Sequence, residues 1–118
     1  MKKVFYLLLV MFMALASYAH DLEVKNADGV TIYYNYINDN TEFAVTYRGN
    51  YSYEYMYEYE GKVVIPEEMT HMNRTCKVTC IEKEAFCSCY KLTSVTIPSS
   101  VKTIEYYFVV LLFDIIFA

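Results

Sequence analysis

The chain has 118 residues, enough for one small domain, and it is apolar and rich in tyrosine. Hydrophobic residues make up 56% and aromatic residues 18%, with 14 Tyr, 3 Gly, 2 Pro and no Trp. This apolar content excludes a disordered chain, and the few Gly and Pro exclude a collagen-like one. A net charge of −4 and a pI near 5.1 give no general basic surface for nucleic acid or anionic lipid.

The first 19 residues have the features of a secretion signal. Lys2 and Lys3 precede an almost unbroken apolar run over residues 4–16, and small residues stand one and three positions before His20. A retained membrane anchor is the alternative, but the run is shorter than the ~20 residues that cross a bilayer. We therefore expect export, with residues 1–19 removed as a signal peptide and no transmembrane span in the mature chain. An exported acidic protein is not expected to bind nucleic acid.

Residues 20–60 predict an N-terminal β-meander. Segments rich in β-branched and aromatic residues are separated by turn residues, and no long segment has the 3.6-residue period of a helix. Gly29 closes the first turn, where a positive φ is needed. Strands are predicted at residues 21–25, 30–37 and 41–47, with turns at 26–29, 38–40 and 48–50.

Tyrosine alternates with other residues through the last ten residues of this region, at Tyr51, Tyr53, Tyr55, Tyr57 and Tyr59. An extended segment would place all five rings on one face. Such a face suits a binding platform, because Tyr offers a large rigid surface with a polar tip. The same alternation is typical of a half-buried strand whose rings pack on the meander. Both interpretations stay open.

Residues 61–105 contain two short segments that recur. The sequence at 63–66 returns as a similar sequence at 95–98, and the sequence at 78–82 returns at 101–105. The second spacing lies in the range of leucine-rich repeats. The apolar, small and turn-forming positions of the fullest unit are Val78, Ile81, Ala85, Phe86, Cys89, Leu92, Val95, Ile97, Pro98, Val101 and Ile104.

This order of residues resembles the BspA-type leucine-rich repeat of bacterial surface proteins. The resemblance covers one full unit and a degenerate start before it. It implies a mainly β fold in which the meander is followed by a short leucine-rich-repeat β-solenoid fragment at residues 61–105. One such coil cannot bury its own faces, so its neighbours must stack on it. All the repeat positions except Pro98 are then expected in the core.

The resemblance implies an exported interaction module, secreted or displayed on the cell surface of a bacterium. Its function would be adhesion, or recognition of protein or glycan ligands, rather than catalysis. The candidate binding residues are those on the solvent side of the repeat strand, Lys91, Thr93, Ser94 and Thr96. The alternative is that these polar side chains only keep the surface soluble.

The apolar tail at residues 106–118 departs from the repeat pattern. It holds a single charge, Asp114, and as a helix it would extend only about 20 Å, short of the ~30 Å hydrocarbon core. Our hypothesis is that the chain is a truncated or frame-shifted family member, ending after about one and a half repeats. The alternative function is accordingly a structural remnant with no independent activity.

The remaining reactive side chains predict neither an enzyme nor a cofactor. Cys76 and Cys80 would lie roughly 13 Å apart on one strand, so any disulfide must use Cys87 or Cys89. Export permits disulfides, whereas the cysteine spacing is not usual for zinc, and we expect no metal. His71 has no nucleophile motif or phosphate loop near it.

Overall fold

The computed structural model describes residues 20–48, 59–87, 89–105 and 113–118, which form nine β-strands in two sheets. The prediction of a mainly β fold is confirmed. Within these residues there is no helix, and hence none long and apolar enough to cross a membrane. In chain order the strands are β1 (Leu22–Lys25), β2 (Thr31–Ile37), β3 (Glu42–Thr46), β4 (Gly61–Val64), β5 (Glu68–His71), β6 (Arg74–Ile81), β7 (Leu92–Ile97), β8 (Thr103–Ile104) and β9 (Asp114–Phe117).

The first sheet is curled and begins with three antiparallel strands. β1 pairs with β2 and β2 with β3, and these strands cover the three stretches for which the sequence predicts strands. β-branched and aromatic side chains favour this extended conformation. Tyr34 and Tyr36 pack their rings against Phe43 of the neighbouring strand, with ring centroids 5.8 and 4.7 Å apart. This aromatic cluster holds β2 on β3.

The two turns between these strands use the left-handed conformation. Gly29 has a φ of 78°, as its position in the sequence predicts. The second turn places Asn38, Asp39 and Asn40 in succession at φ between 52° and 62°, a conformation that Asn and Asp tolerate better than other non-glycine residues. Arg74 donates a hydrogen bond of 2.7 Å to the carbonyl of Asn40 and so ties the second turn to β6.

Parallel ladders connect the later strands. β6 lies parallel to β3 and to β8 in the first sheet, and the second sheet consists of β4, β7 and β9 in parallel. Along the chain, the strands of these parallel ladders belong alternately to the first and the second sheet, in the order β3, β4, β6, β7, β8, β9. β5 stands outside this alternation because it forms an antiparallel hairpin with the first half of β6.

The described residues share one hydrophobic core, which includes side chains from both sheets. It contains the repeat-pattern positions: Val78, Ile81, Ala85, Cys89, Leu92, Val95 and Ile97 are buried, and Phe86, Val101 and Ile104 are partly buried against them. The N-terminal strands contribute Ile32, Tyr34, Phe43 and Val45 to the same core. Strands of the meander segment and of the repeat-like segment are therefore packed as one body.

Candidate binding surface

Tyr59 is the one tyrosine of the alternating segment that the structure describes, and it is a core residue. Its side chain is 0% exposed, with its ring 5.9 Å from Tyr33 and 5.0 Å from Phe86. Its ring packs inside the core, so the half-buried interpretation describes Tyr59 and the binding-face interpretation does not. Tyr51, Tyr53, Tyr55 and Tyr57 lie outside the described residues.

The Tyr59 hydroxyl completes the hydrogen bonding of two buried backbone groups. It accepts a hydrogen bond of 3.1 Å from the Tyr33 N–H and donates one of 2.7 Å to the Thr46 carbonyl. Tyr33 of β2 and Thr46 of β3 are paired at the end of their ladder, so the hydroxyl links the backbones of the two strands there. Burial raises the pKa of this hydroxyl well above its ordinary value. The residue therefore serves the fold and does not contact solvent.

The outer surface around β7 carries the other predicted binding residues. Lys91 and Thr93 are exposed, and Thr96 is partly exposed. The pairing of β4 with β7 shifts register at Thr93, so this residue has no partner residue in that ladder. Thr96 lies in one row with Val64 and Ile116 on the flanking strands. We call this surface, which is of mixed polar and apolar character, the β7 patch.

Two adjoining clefts lie along β6. Their volumes are about 340 and 530 Å³, and Glu42, Thr79 and Lys102 line both. The first is also lined by Ile37, Asn38, Cys80, Glu82, Thr103 and Glu105, and the second by Thr41, Glu67, Thr75, Cys76, Lys77, Ser99 and Ser100. We call this surface the β6 groove. Its lining is mainly carboxylates, hydroxyls and two lysines.

Hydrogen bonds hold the carboxylates of the β6 groove in place. Glu42 accepts from the Asn38 amide and, at 3.2 Å, from the Thr79 hydroxyl. Glu82 accepts from the Asn35 amide at 3.2 Å through both oxygens. Glu105 accepts from the Lys83 N–H at 3.4 Å. The groove therefore offers positioned acceptors to a ligand that donates hydrogen bonds.

Cys80 and Cys76 are the thiols of the groove, and the surroundings of Cys80 suppress its reactivity. Burial, followed by the charges of Glu105, Glu82 and Glu42, raises the pKa of its thiol from 9.0 to about 11. A thiol with that pKa is protonated at neutral pH, and the thiolate is the form that attacks electrophiles and binds metals. The groove is thus suited to binding and not to nucleophilic chemistry through Cys80.

The other candidate chemical groups do not converge on a site. All four cysteines have free thiols, so none of the disulfides that export would permit is formed here. In the part of the chain that is described, no three His, Cys, Asp or Glu side chains are placed to hold a metal ion. His71 ends β5 opposite Arg74 and lies outside both clefts.

Sequence reasoning did not find the β6 groove, although one signal for it exists. Glu42, Glu82 and Glu105 are far apart in the chain and become neighbours through the parallel pairing of β6 with β3 and β8. Glu82 and Glu105 hold the same position of the recurring segments 78–82 and 101–105. In a stacked repeat, residues at equivalent positions are expected to lie side by side. The recurrence of Glu82 and Glu105 would therefore have indicated neighbouring carboxylates.

Comparison with known proteins adds no relative: no protein-family model, curated protein or solved structure matches the chain.

Proposed function

We propose that this chain is an exported interaction module of the BspA-type leucine-rich-repeat kind, which binds a protein or glycan ligand on a bacterial surface. The β6 groove and the β7 patch, with Lys91, Thr93 and Thr96, are its binding surfaces. It acts without a cofactor and without catalysis. A truncated remnant that binds nothing is the alternative.

The observation that carries the proposal is the pairing of the recurring segments with each other. Val63 and Val64 face Val95 and Thr96 in the β4–β7 ladder, which aligns segment 63–66 with segment 95–98. Ile81 faces Ile104 in the β6–β8 ladder, which aligns segment 78–82 with segment 101–105. Lateral stacking of equivalent residues is the pattern expected of a solenoid, and the alternation of strands between two sheets agrees with it.

The chemistry of the groove supports binding as the function. Its carboxylates and hydroxyls suit a ligand that presents hydrogen-bond donors, as sugars and peptide backbones do. The position of β1 is compatible with export, because the strand begins at Leu22 and cleavage before His20 would leave it intact. The high pKa of the Cys80 thiol speaks against a role of Cys80 as a nucleophile.

The proposal is tested with the protein recovered from an exporting bacterial host. Its mass should first show the loss of residues 1–19. The labelled protein is then applied to glycan arrays and to a panel of extracellular proteins, where we expect saturable binding to one ligand class. Lys77→Glu changes the groove and Thr93→Arg changes the β7 patch. One of them should weaken that binding at least about tenfold, as loss of a central contact does.

Lys25→Glu is the matched control for Lys77→Glu, since it makes the same charge change on an exposed β1 residue outside both clefts. It should leave binding unchanged. Equal effects of the two lysine variants, with none from Thr93→Arg, would show that only overall charge matters and would contradict the proposed surfaces. Absence of saturable binding to any glycan or protein would contradict the function and favour the remnant.

A further inference from the structure

The outward side of the second sheet carries two rows of side chains that continue across its three strands. Because strand residues alternate, β4, β7 and β9 direct one set of side chains inward and the other set outward. The first outward row consists of Lys62, Ser94 and Asp114. Lys62 and Asp114 are exposed, and Ser94 is half-buried between them. The row therefore has a cation on β4 and an anion on β9.

The second outward row lies beside the first and is largely apolar. It consists of Val64, Thr96 and Ile116. Val64 is 43% exposed and Ile116 is 48% exposed, with Thr96 half-buried between them. Burial of such aliphatic side chains against a partner is favourable. We call the six residues of the two rows the outer face, which includes the centre of the β7 patch.

The two charges of the outer face have no ion-pair partner within the described part of the chain. Neither Lys62 nor Asp114 forms such a pair there. β7 lies between their strands and holds them two strand spacings apart, ~9.6 Å at ~4.8 Å per spacing, which is too far for a direct contact. A partner that complements this face must present the same two charges in the reverse order.

We propose that the partner of the outer face is a second copy of the chain, docked face to face about a two-fold axis that runs parallel to β7. Rotation about this axis keeps the strand direction and exchanges the two sides of the sheet, so β9 of one copy lies over β4 of the other. Lys62 of each copy then faces Asp114 of the other, and Val64 faces Ile116. Thr96 lies near the axis and faces its own copy. The inference rests on the proposed function, since it names the ligand of the β7 patch.

The order of the charges selects this axis over a two-fold axis that runs across the strands. The latter axis would set the first row of each copy against the second row of the other. Lys62 and Asp114 would then lie on aliphatic side chains, where a charge loses its water without gaining a partner. The axis along β7 satisfies both rows at once. The contact closes at two copies, because both use the same surface.

The contact is small, so the dimer is a weak one. Three strands ~4.8 Å apart and four residues long cover about 14 by 13 Å, far less than the ~800 Å² that each partner of a stable dimer buries. We expect a dissociation constant of about 0.1–1 mM. Copies displayed together on a cell surface meet at a high local concentration, where many weak contacts add up to adhesion.

The experiment is an NMR dilution series of the isotope-labelled full gene product recovered from an exporting host. We expect the amide signals of the outer face to shift with concentration and those of β2 to stay fixed. Lys62→Asp and Asp114→Lys each create two like-charge pairs across the axis and should raise the dissociation constant at least about tenfold. Lys83→Asp makes the same charge change as Lys62→Asp at an exposed residue just after β6 and should leave the constant unchanged.

Mixing the variants gives a readout that is specific to the proposed axis. Each single variant sets like charges against its own copy, whereas a mixture of Lys62→Asp and Asp114→Lys sets only opposite charges against each other. The mixture should therefore dimerise, and so should the double variant alone. Outer-face signals that do not move with concentration would overturn the proposal. So would a mixture that associates no more tightly than its components.

Binding to the glycan and protein arrays separates the failure of this inference from the failure of the proposed function. Saturable array binding by a protein that stays monomeric overturns this inference alone, including the case in which an array ligand occupies the outer face. A dimer with the expected charge exchange and no array binding supports this inference and contradicts the binding of any further ligand.

Discussion

At the scale of single residues, one hydroxyl group joins three segments of the chain. The Tyr59 hydroxyl accepts a hydrogen bond from the Tyr33 N–H and donates one to the Thr46 carbonyl, and so links the paired residues of β2 and β3. Its ring also contacts Phe86 of the repeat-like segment. A buried backbone group that loses its partner costs more free energy than an average hydrogen bond contributes, so this contact matters to stability.

Tyr59→Phe should lower the free energy of unfolding by about 1–3 kcal/mol, because the hydrogen bonds of the hydroxyl to the Tyr33 N–H and the Thr46 carbonyl are lost while the ring stays. Urea unfolding followed by circular dichroism measures the change. Tyr36→Phe is the matched control, since its ring packs on Phe43 and no hydrogen bond to its hydroxyl is seen in the described part of the chain. Equal losses in the two variants would contradict the role of the Tyr59 hydroxyl.

Stability should fall as the pH rises into the alkaline range. Burial raises the pKa of Tyr34 and Tyr59 above 10.0 and that of Cys80 from 9.0 to about 11, so the folded protein holds these groups neutral. The unfolded chain releases their protons from pH 9 upward, which favours unfolding progressively above that pH. The urea midpoint should therefore decrease between pH 9 and pH 11. A midpoint that stays constant over this interval would contradict the assigned shifts.

At the scale of elements, the sequence predicts the strands that have strong local signals and misses those that depend on distant partners. β2 and β3 combine β-branched and aromatic residues with turns of Gly, Asn and Asp, so local chemistry suffices for them. The β5–β6 hairpin turns at Met72 and Asn73, with φ of 50° and 63°, and a methionine at a left-handed position gives no turn signal in the sequence. The sequence left two interpretations of Tyr59 open, because alternation alone does not tell which face of a strand is buried.

Met72→Asn should stabilise the protein by about 0.5–1 kcal/mol, because Asn tolerates the left-handed conformation of a two-residue hairpin turn better than Met does. Met72 is 83% exposed, so the substitution leaves the core unchanged. Thermal unfolding measures the gain. Met72→Ala removes the same exposed side chain without relieving the backbone and should give no gain. A stabilisation by Met72→Ala that equals that of Met72→Asn would contradict the explanation.

At the scale of the whole molecule, parallel pairing brings together residues that the sequence separates. The burial of Leu92, Val95 and Ile97 follows from the spacing of apolar residues, and so does the exposure of Thr93. The β6 groove does not follow from spacing, since it requires Glu42, Glu82 and Glu105 to meet through two parallel ladders. Long-range register is set by the packing of the whole core, which a single sequence shows only indirectly.

The most direct test of this account is an NMR measurement of backbone contacts between the recurring segments. In the isotope-labelled protein we expect interstrand nuclear Overhauser effects in parallel register from Lys62 to Ser94 and from Val63 to Val95. We expect the same from Cys80 to Thr103 and from Ile81 to Ile104. Antiparallel contacts between residues 61–64 and 92–97, or no contacts between them, would contradict the stacked arrangement on which the proposed function depends.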